Sequence, residues 1–441
     1  MTGVRSVDME RAPWEIYIIE GVNNVEGIPP NSFAVLIRFH HAYVDGKASL
    51  ELTTAMMEET AEHEYGRRDR VEVAERLPTK LEMWARTTPR MMGQTLRSMK
   101  AGLTVGRKGI ELARRLRNED KPEQTRVPKS IFNTQISPHR SYGAFTWRIS
   151  ELKRMRQLCP GSTLNDVVIA IIGGGMRRYL NHHNALPETG SLVSMCPVSV
   201  RPSEAGADCG NLISAMYIGI GTDIAHAADR LHAVQRRTAK GVPLAKEVLC
   251  DLSNAFGDMI PPYMRAFGAW TQNRLRSASR FTLVNTVITN VPGIPGLQPR
   301  YFAGAKIVNV FPLVPVCDGM GISHGMTGIY DELNLGVVAD RKIVGDMDTY
   351  IACMEASTQE YQALLQQLEA RGSDSGKLAS IAQEPAQKAD EENANLKADA
   401  AASESKTAST ARKRKGEKMA AAQAKTEHSD VEPARSATHS R

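Results

Sequence analysis

Apolar and polar residues alternate along "EIYIIEG" (Glu15–Gly21) and again from Phe33 to Phe39, the two-residue period of half-buried strands. The second run stops on a doubled imidazole, His40-His41, and Asp45-Gly46 follows before helical spacing takes over toward Met57. A long helical pattern runs from Leu81 to Leu116, after which "NEDKPEQTRVPKS", polar and with two prolines, reads as a crossover linker. Beyond it the pattern predicts a strand at "GAFTWRI", helices over Ser150–Leu158 and Leu164–His182, and strands at "SLVSMCPVSV" and "NLISAMYIGI". A helical block near Ile224–Ser279 follows. Strands are then expected at Leu283–Asn290, Lys306–Val314, Gly319–Tyr330 and Leu333–Ala339, with a last helix over Asp346–Ala370. Strands and helices are mixed rather than strictly alternating, so the class is α+β with a large mixed sheet.

Composition narrows the picture. The chain has 441 residues, is 42% hydrophobic and carries a net charge of +6. That suffices for a sizeable core in more than one domain. The charge is too weak to demand nucleic acid, and no Arg/aromatic module for one is present. It suits an anionic membrane surface or an acidic cofactor such as a phosphorylated thioester carrier. Six scattered cysteines without a CxxC pair fit a reduced, cytoplasmic chain. No run approaches the roughly 18 apolar residues of a membrane span, and the N-terminus lacks an apolar signal core. From Gly372 onward Ala, Ser, Lys, Glu and Gln dominate, so residues 371–441 are expected to form a disordered tail. Its basic knot, Arg412–Lys415, reads as a solvated run.

The histidine turn carries the candidate chemistry. Adjacent strand residues point to opposite faces, so His40 and His41 cannot easily share one substrate or one metal. His41, at the strand exit, is the better general base, because imidazole titrates near working pH. Asp45 can brace the turn and Gly46 can supply a tight exit. No metal is expected: neither HxxxH nor CxxC spacing supplies further ligands, and the separate doublet His182-His183 reads as a polar helix end. The Gly173–Gly175 triplet lacks a P-loop context and points to close helix packing. The basic, partly amphipathic stretch Arg90–Arg117 allows two readings, a membrane-facing helix or an interdomain helix with a solvated face.

HHxxxDG, here His40, His41, Asp45 and Gly46, resembles the active-site motif of the CoA-dependent acyltransferase superfamily. Further stretches resemble one branch of it, the bacterial wax ester synthase/diacylglycerol acyltransferases. They are the Asn165-Asp166 helix in "STLNDVVIAIIGGGMRRYL", "CPVSVRP" with "GN" after it, "TNVPGIPG" with Asn290, Pro292 and Gly293, and the linker "NTQISPHR". The resemblance runs from Arg11 to about Gln366.

It implies two chloramphenicol-acetyltransferase-like halves, 1–118 and 141–370, joined by a crossover linker at 119–140, with a tunnel between them. It implies acyl-CoA as co-substrate, no bound cofactor, and a diacylglycerol or long-chain alcohol as acceptor. His41 corresponds to the base, with His40, Asp45 and Gly46 completing the motif. Asn165 corresponds to a residue near the oxyanion or holding the cleft, and Asp166 to a structural one. Asn290, Pro292 and Gly293 would shape a loop at the cleft. Such a protein is expected in the cytoplasm and at the surface of the inner membrane or lipid inclusions. Two departures stand out. "RAPWE" replaces the family's Pro-Leu-Trp, and a preceding stretch on the order of a hundred residues, a small domain's worth, is expected to be missing, leaving the N-terminal half incomplete. Two alternatives follow: an inactive or partner-dependent lipid-binding relative, and a condensation-domain-like amide former.

Overall fold

The structure, a computed structural model, describes residues 7–373 apart from 9–11, 41–45, 63–75, 87–100, 115–126, 200–212, 247–259, 261–266, 275–281 and a few single positions, Pro292 among them. His41, Asp45 and the expected tail beyond its first three residues, with its basic knot, therefore lie outside the described residues; residues 371–373 continue the last helix instead. The chain divides into Met1–Gln366 and Gln367–Arg441, and the candidate site residues all lie in the first unit.

The alternating N-terminal runs form an antiparallel hairpin, β1 (Trp14–Val22) and β2 (Ser32–Phe39), with Trp14 opposite Phe39 and Ile18 opposite Val35. The two-residue period sorts its faces. One carries Trp14, Ile16, Ile18, Val35, Ile37 and Phe39, while the other carries the Glu15–Arg38 ion pair at 2.7 Å. β2 ends at Phe39, and the His40 N–H still donates to Pro13 O at 2.9 Å, so the ladder closes one residue further on. A helix, α1 (Gly46–Ala55), follows. Of the long helical pattern after it, residues 81–83, 85–86 and 101–114 are described, and they are helical.

Six strands form the main sheet in the order β3-β10-β9-β6-β4-β5. They are β3 (Arg140–Arg148), β4 (Val193–Ser199), β5 (Ile213–Gly219), β6 (Thr286–Asn290), β9 (Ile322–Ile329) and β10 (Glu332–Asp340). The pairs β4/β6 and β6/β9 are parallel and the other three antiparallel, which makes the sheet mixed. A small hairpin, β7 (Tyr301–Phe302) with β8 (Ala305–Lys306), stands apart from it.

The expected strand over Lys306–Val314 is not formed beyond Lys306. Residues 307–316 lie in extended, irregular backbone instead. The physical reason is on the facing strands: Gly325 and Gly336 are cross-strand partners whose missing side chains let the Pro312 carbonyl oxygen lie against the sheet. A Cβ on Gly325 would come within 2.7 Å of that oxygen. Ser323 Oγ donates to Val314 O at 2.6 Å, so the segment is strapped flat onto the sheet face rather than paired along an edge.

Helices α2 (Ile149–Met155), α3 (Leu164–His182), α4 (Ala227–Leu244) and α5 (Met347–Ser373) complete the fold. α3 is buried continuously from Asp166 to Met176, as its near-unbroken apolar run requires. α5 presents Tyr350, Met354, Tyr361 and Leu365 to the core at helical spacing. The Gly173–Gly175 triplet works in this packing: a Cβ would overlap the Ile220 carbonyl oxygen at Gly173, Arg230 and Ser357 at Gly174, and Met354 at Gly175.

Candidate active site

The first turn of α3 is fixed by its own sequence. Thr163 caps the helix and Asp166 closes a capping box: Asp166 Oδ2 accepts from the Thr163 N–H at 2.7 Å, and Thr163 Oγ1 accepts from the Asp166 N–H at 3.2 Å. The other carboxylate oxygen, Oδ1, accepts from Thr238 Oγ1 of α4 at 2.5 Å. Asp166 is buried, and both of its oxygens are occupied in anchoring the helix end. The T-x-x-D spacing of Thr163 and Asp166 is a local capping signal that the sequence reading passed over. Thr238, 72 residues away on another helix, left no sequence signal.

Asn165 projects from that same turn. Its Oδ1 accepts a hydrogen bond from Nδ2 of Asn290, at the end of β6, at 2.9 Å. Two stretches separated by 125 residues, the Asn-Asp helix and the "TNVPG" loop, thus meet at one exposed point. The loop beyond Asn290 hugs β9: Val291 N–H donates to Met326 O and Ile294 N–H to Gly328 O, each at 2.8 Å. Gly293 is required there, since a Cβ would come within 2.6 Å of the Gly328 carbonyl oxygen.

The same loop reaches the N-terminal region. Tyr301 and Glu58 exchange backbone hydrogen bonds at 2.8 and 2.9 Å. Arg300 pairs with Glu59 at 2.9 Å, and the rings of Phe302 and Phe33 lie 6.5 Å apart. The histidine motif is therefore flanked by tethered backbone: β2 and the half-buried His40 on one side, α1 from Gly46 and the Glu58 bridge on the other.

Behind this face lies a polar core that the sequence reading missed. His324 on β9 is fully buried, with Nδ1 3.0 Å from Thr286 Oγ1 and Nε2 2.7 Å from Tyr350 OH. Burial pushes its pKa down to about 4, against the opposing pull of a hydrogen bond with the Val287 backbone. It is a neutral hub that joins the sheet to α5. The linker contributes a second hub. Asn133 donates to Val284 O and Gly319 O and accepts from Asn285 Nδ2, while Asn285 Oδ1 accepts from the Val193 N–H. Cys196, in the "CPVSVRP" strand, is buried with its pKa pushed up to about 12 by desolvation, and so is an inert packing residue.

Comparison with known proteins follows the same two stretches. Residues 4–168 match the wax ester synthase/diacylglycerol acyltransferase catalytic domain, and residues 209–362 match the corresponding C-terminal domain. A Mycobacterium tuberculosis relative named for diacylglycerol O-acyl transfer is 29% identical over 364 residues, covering 81% of this chain and 75% of its own. An O-acyltransferase of Acinetobacter baylyi is 27% identical over 356 residues, covering 78% and 73%. The solved wax ester synthase/diacylglycerol acyltransferase of Marinobacter aquaeolei superposes with a TM-score of 0.53 at 22% identity, covering 83% of this chain and 74% of that one, and shares its two-domain α+β fold. The chain belongs to the wax ester synthase/diacylglycerol acyltransferase family.

Proposed function

We propose that this acyltransferase moves a fatty acyl group from acyl-CoA to the hydroxyl of a diacylglycerol, giving triacylglycerol, and to long-chain alcohols, giving wax esters. His41 takes the hydroxyl proton as the oxygen attacks the thioester carbonyl. The tetrahedral oxyanion then collapses, the carbon–sulfur bond breaks, and the imidazolium returns the proton to the departing thiolate. No covalent acyl-enzyme is needed, because a thioester is already activated and holding both substrates together lowers the entropic barrier. Asp45 and Gly46 shape the histidine turn, with His40 anchoring its entry. Asn165 offers its amide N–H toward the oxyanion, Asp166 fixes the helix that carries it, and Asn290, Pro292 and Gly293 form the loop that holds Asn165. The halves at 1–118 and 141–370, joined through 119–140, bring the two groups of residues together.

The observation that carries this reading is the hydrogen bond between Asn165 and Asn290, which joins two separate family stretches at one exposed point. Among the described residues no helix is long and apolar enough to cross a membrane. Both acceptors are apolar, so the protein meets them at the surface of a membrane or lipid inclusion.

The test follows radiolabelled palmitoyl-CoA into lipid with dioleoylglycerol or hexadecanol as acceptor. Labelled triacylglycerol or wax ester is expected, falling by roughly 10²–10⁴-fold in His41→Ala. A folded wild-type protein that labels neither acceptor, or a variant that keeps full turnover, would sink the proposal.

A further inference from the structure

α3 ends on His182 and is capped by His183, whose N–H donates to the Tyr179 carbonyl at 3.2 Å. Asp346 lies immediately before α5, across from this end, with its Oδ2 3.2 Å from His183 Nε2. One ligand atom from each of His182, His183 and Asp346 lies within 4.8 Å of the others. The two imidazoles are exposed and the carboxylate half-buried, so the cluster opens to solvent.

We propose that these three side chains bind one zinc(II)-class cation, with water in the remaining position. Two imidazoles and a carboxylate are a donor set for a borderline transition metal, whereas Mg²⁺ and Ca²⁺ favour mostly oxygen ligands. Bonds of about 2.0–2.2 Å to a tetrahedral ion place neighbouring ligand atoms roughly 3.3 Å apart. His183 and Asp346 already stand at that spacing, 3.2 Å, so rotation of the exposed His182 side chain is what completes the set.

The surrounding contacts suit such a site. The buried Tyr179 hydroxyl donates to Asp346 Oδ1 at 2.6 Å, which leaves Oδ2 directed at the histidines. The Tyr179 ring also packs 4.5 Å from the His183 ring and restrains it. A buried tyrosine orienting a carboxylate ligand is the outer-shell support that metal ligands need. The cation would clip the end of α3 to the start of α5. The site stands apart from the proposed chemistry, since Asn165 sits at the opposite end of α3.

Titration of the full chain with ZnCl₂, and separately with CoCl₂ read by visible absorption, tests this. One site per chain is expected, with a rise of a few degrees in unfolding temperature under Zn²⁺ and none under equimolar Mg²⁺. His182→Ala, His183→Ala and Asp346→Asn should each weaken that site at least tenfold. Tyr179→Phe, which keeps all three ligands, should weaken it by roughly 10–100-fold. Histidines elsewhere, including those outside the described residues, can take up metal, so the variants decide. If Zn²⁺ affinity and the Co²⁺ spectrum survive His182→Ala/His183→Ala in a chain with native circular dichroism, the site is overturned. Circular dichroism and transferase turnover of the metal-free variants separate loss of ligands from loss of fold.

Discussion

Removing the Asn290 side chain leaves Asn165 without the donor that holds its amide at the head of α3. Asn290→Ala and Asn165→Ala should each lower kcat/KM by about tenfold, roughly the worth of one well-placed hydrogen bond. The double variant should lose little more than either single one, because the two amides act as a unit. Fully additive losses in steady-state assays would show that the asparagines act independently. Both residues were legible from the sequence because each sits in a recognisable stretch, although nothing there said that they touch. Asp166 was legible as a structural residue through the same family stretch, although the capping box that makes it one was not read. Thr238 was not, because a partner 72 residues away has no local signature. His324 escaped for a related reason: a lone histidine in an apolar strand looks the same whether it is a hub or a filler. The doublet His182-His183 read as a polar helix end, and it is one. What the linear pattern hid was Asp346, which only the packing of α5 against α3 brings beside it.

At the scale of elements, the triplet Gly173–Gly175 is where α3 lies closest to its neighbours. Gly174→Ala would drive a methyl group into the Arg230 guanidinium and the Ser357 hydroxyl, both buried. The expected cost is about 1–3 kcal/mol, despite alanine's better helix propensity, and chemical denaturation would measure it. An unchanged or raised midpoint would mean that Arg230 has room to move. Periodicity found α3 to the residue, because its apolar run begins and ends sharply between polar residues. It failed over residues 307–316 for the opposite reason. "IVNVFPLVPV" has strand-like residues, yet Pro312 and Pro315 break any ladder and the glycines receiving the segment are on other strands. Alternation records which side chains are covered, and it cannot distinguish a strap on a sheet face from a strand at its edge.

For the whole molecule, His324 sets a limit on acid stability. Its pKa of about 4 in the folded chain lies below the ordinary value of 6.5, so the unfolded chain binds the extra proton first as pH falls. Stability should therefore be full above about pH 6.5 and decline toward pH 4, by on the order of 3 kcal/mol from this one group. His324→Gln should flatten that decline, whatever it does to stability at neutral pH. Thermal unfolding between pH 4.5 and 7.5 would show it, and an unaltered slope would assign acid sensitivity elsewhere. The sheet order has a consequence for timing as well. β3 pairs with β10 across a long stretch of chain: Thr146 and Asn334 lie 188 positions apart, and Arg140 and Asp340 lie 200 apart. At about 5–20 residues per second, a ribosome makes β3 roughly 10–40 s before its partner exists. For most of that interval α3 has been synthesised but Tyr350, Met354 and Tyr361 have not, so a helix buried along most of its length waits without its cover. The nascent chain is most exposed to aggregation in that window, and its safety there rests on the cell rather than on the finished fold.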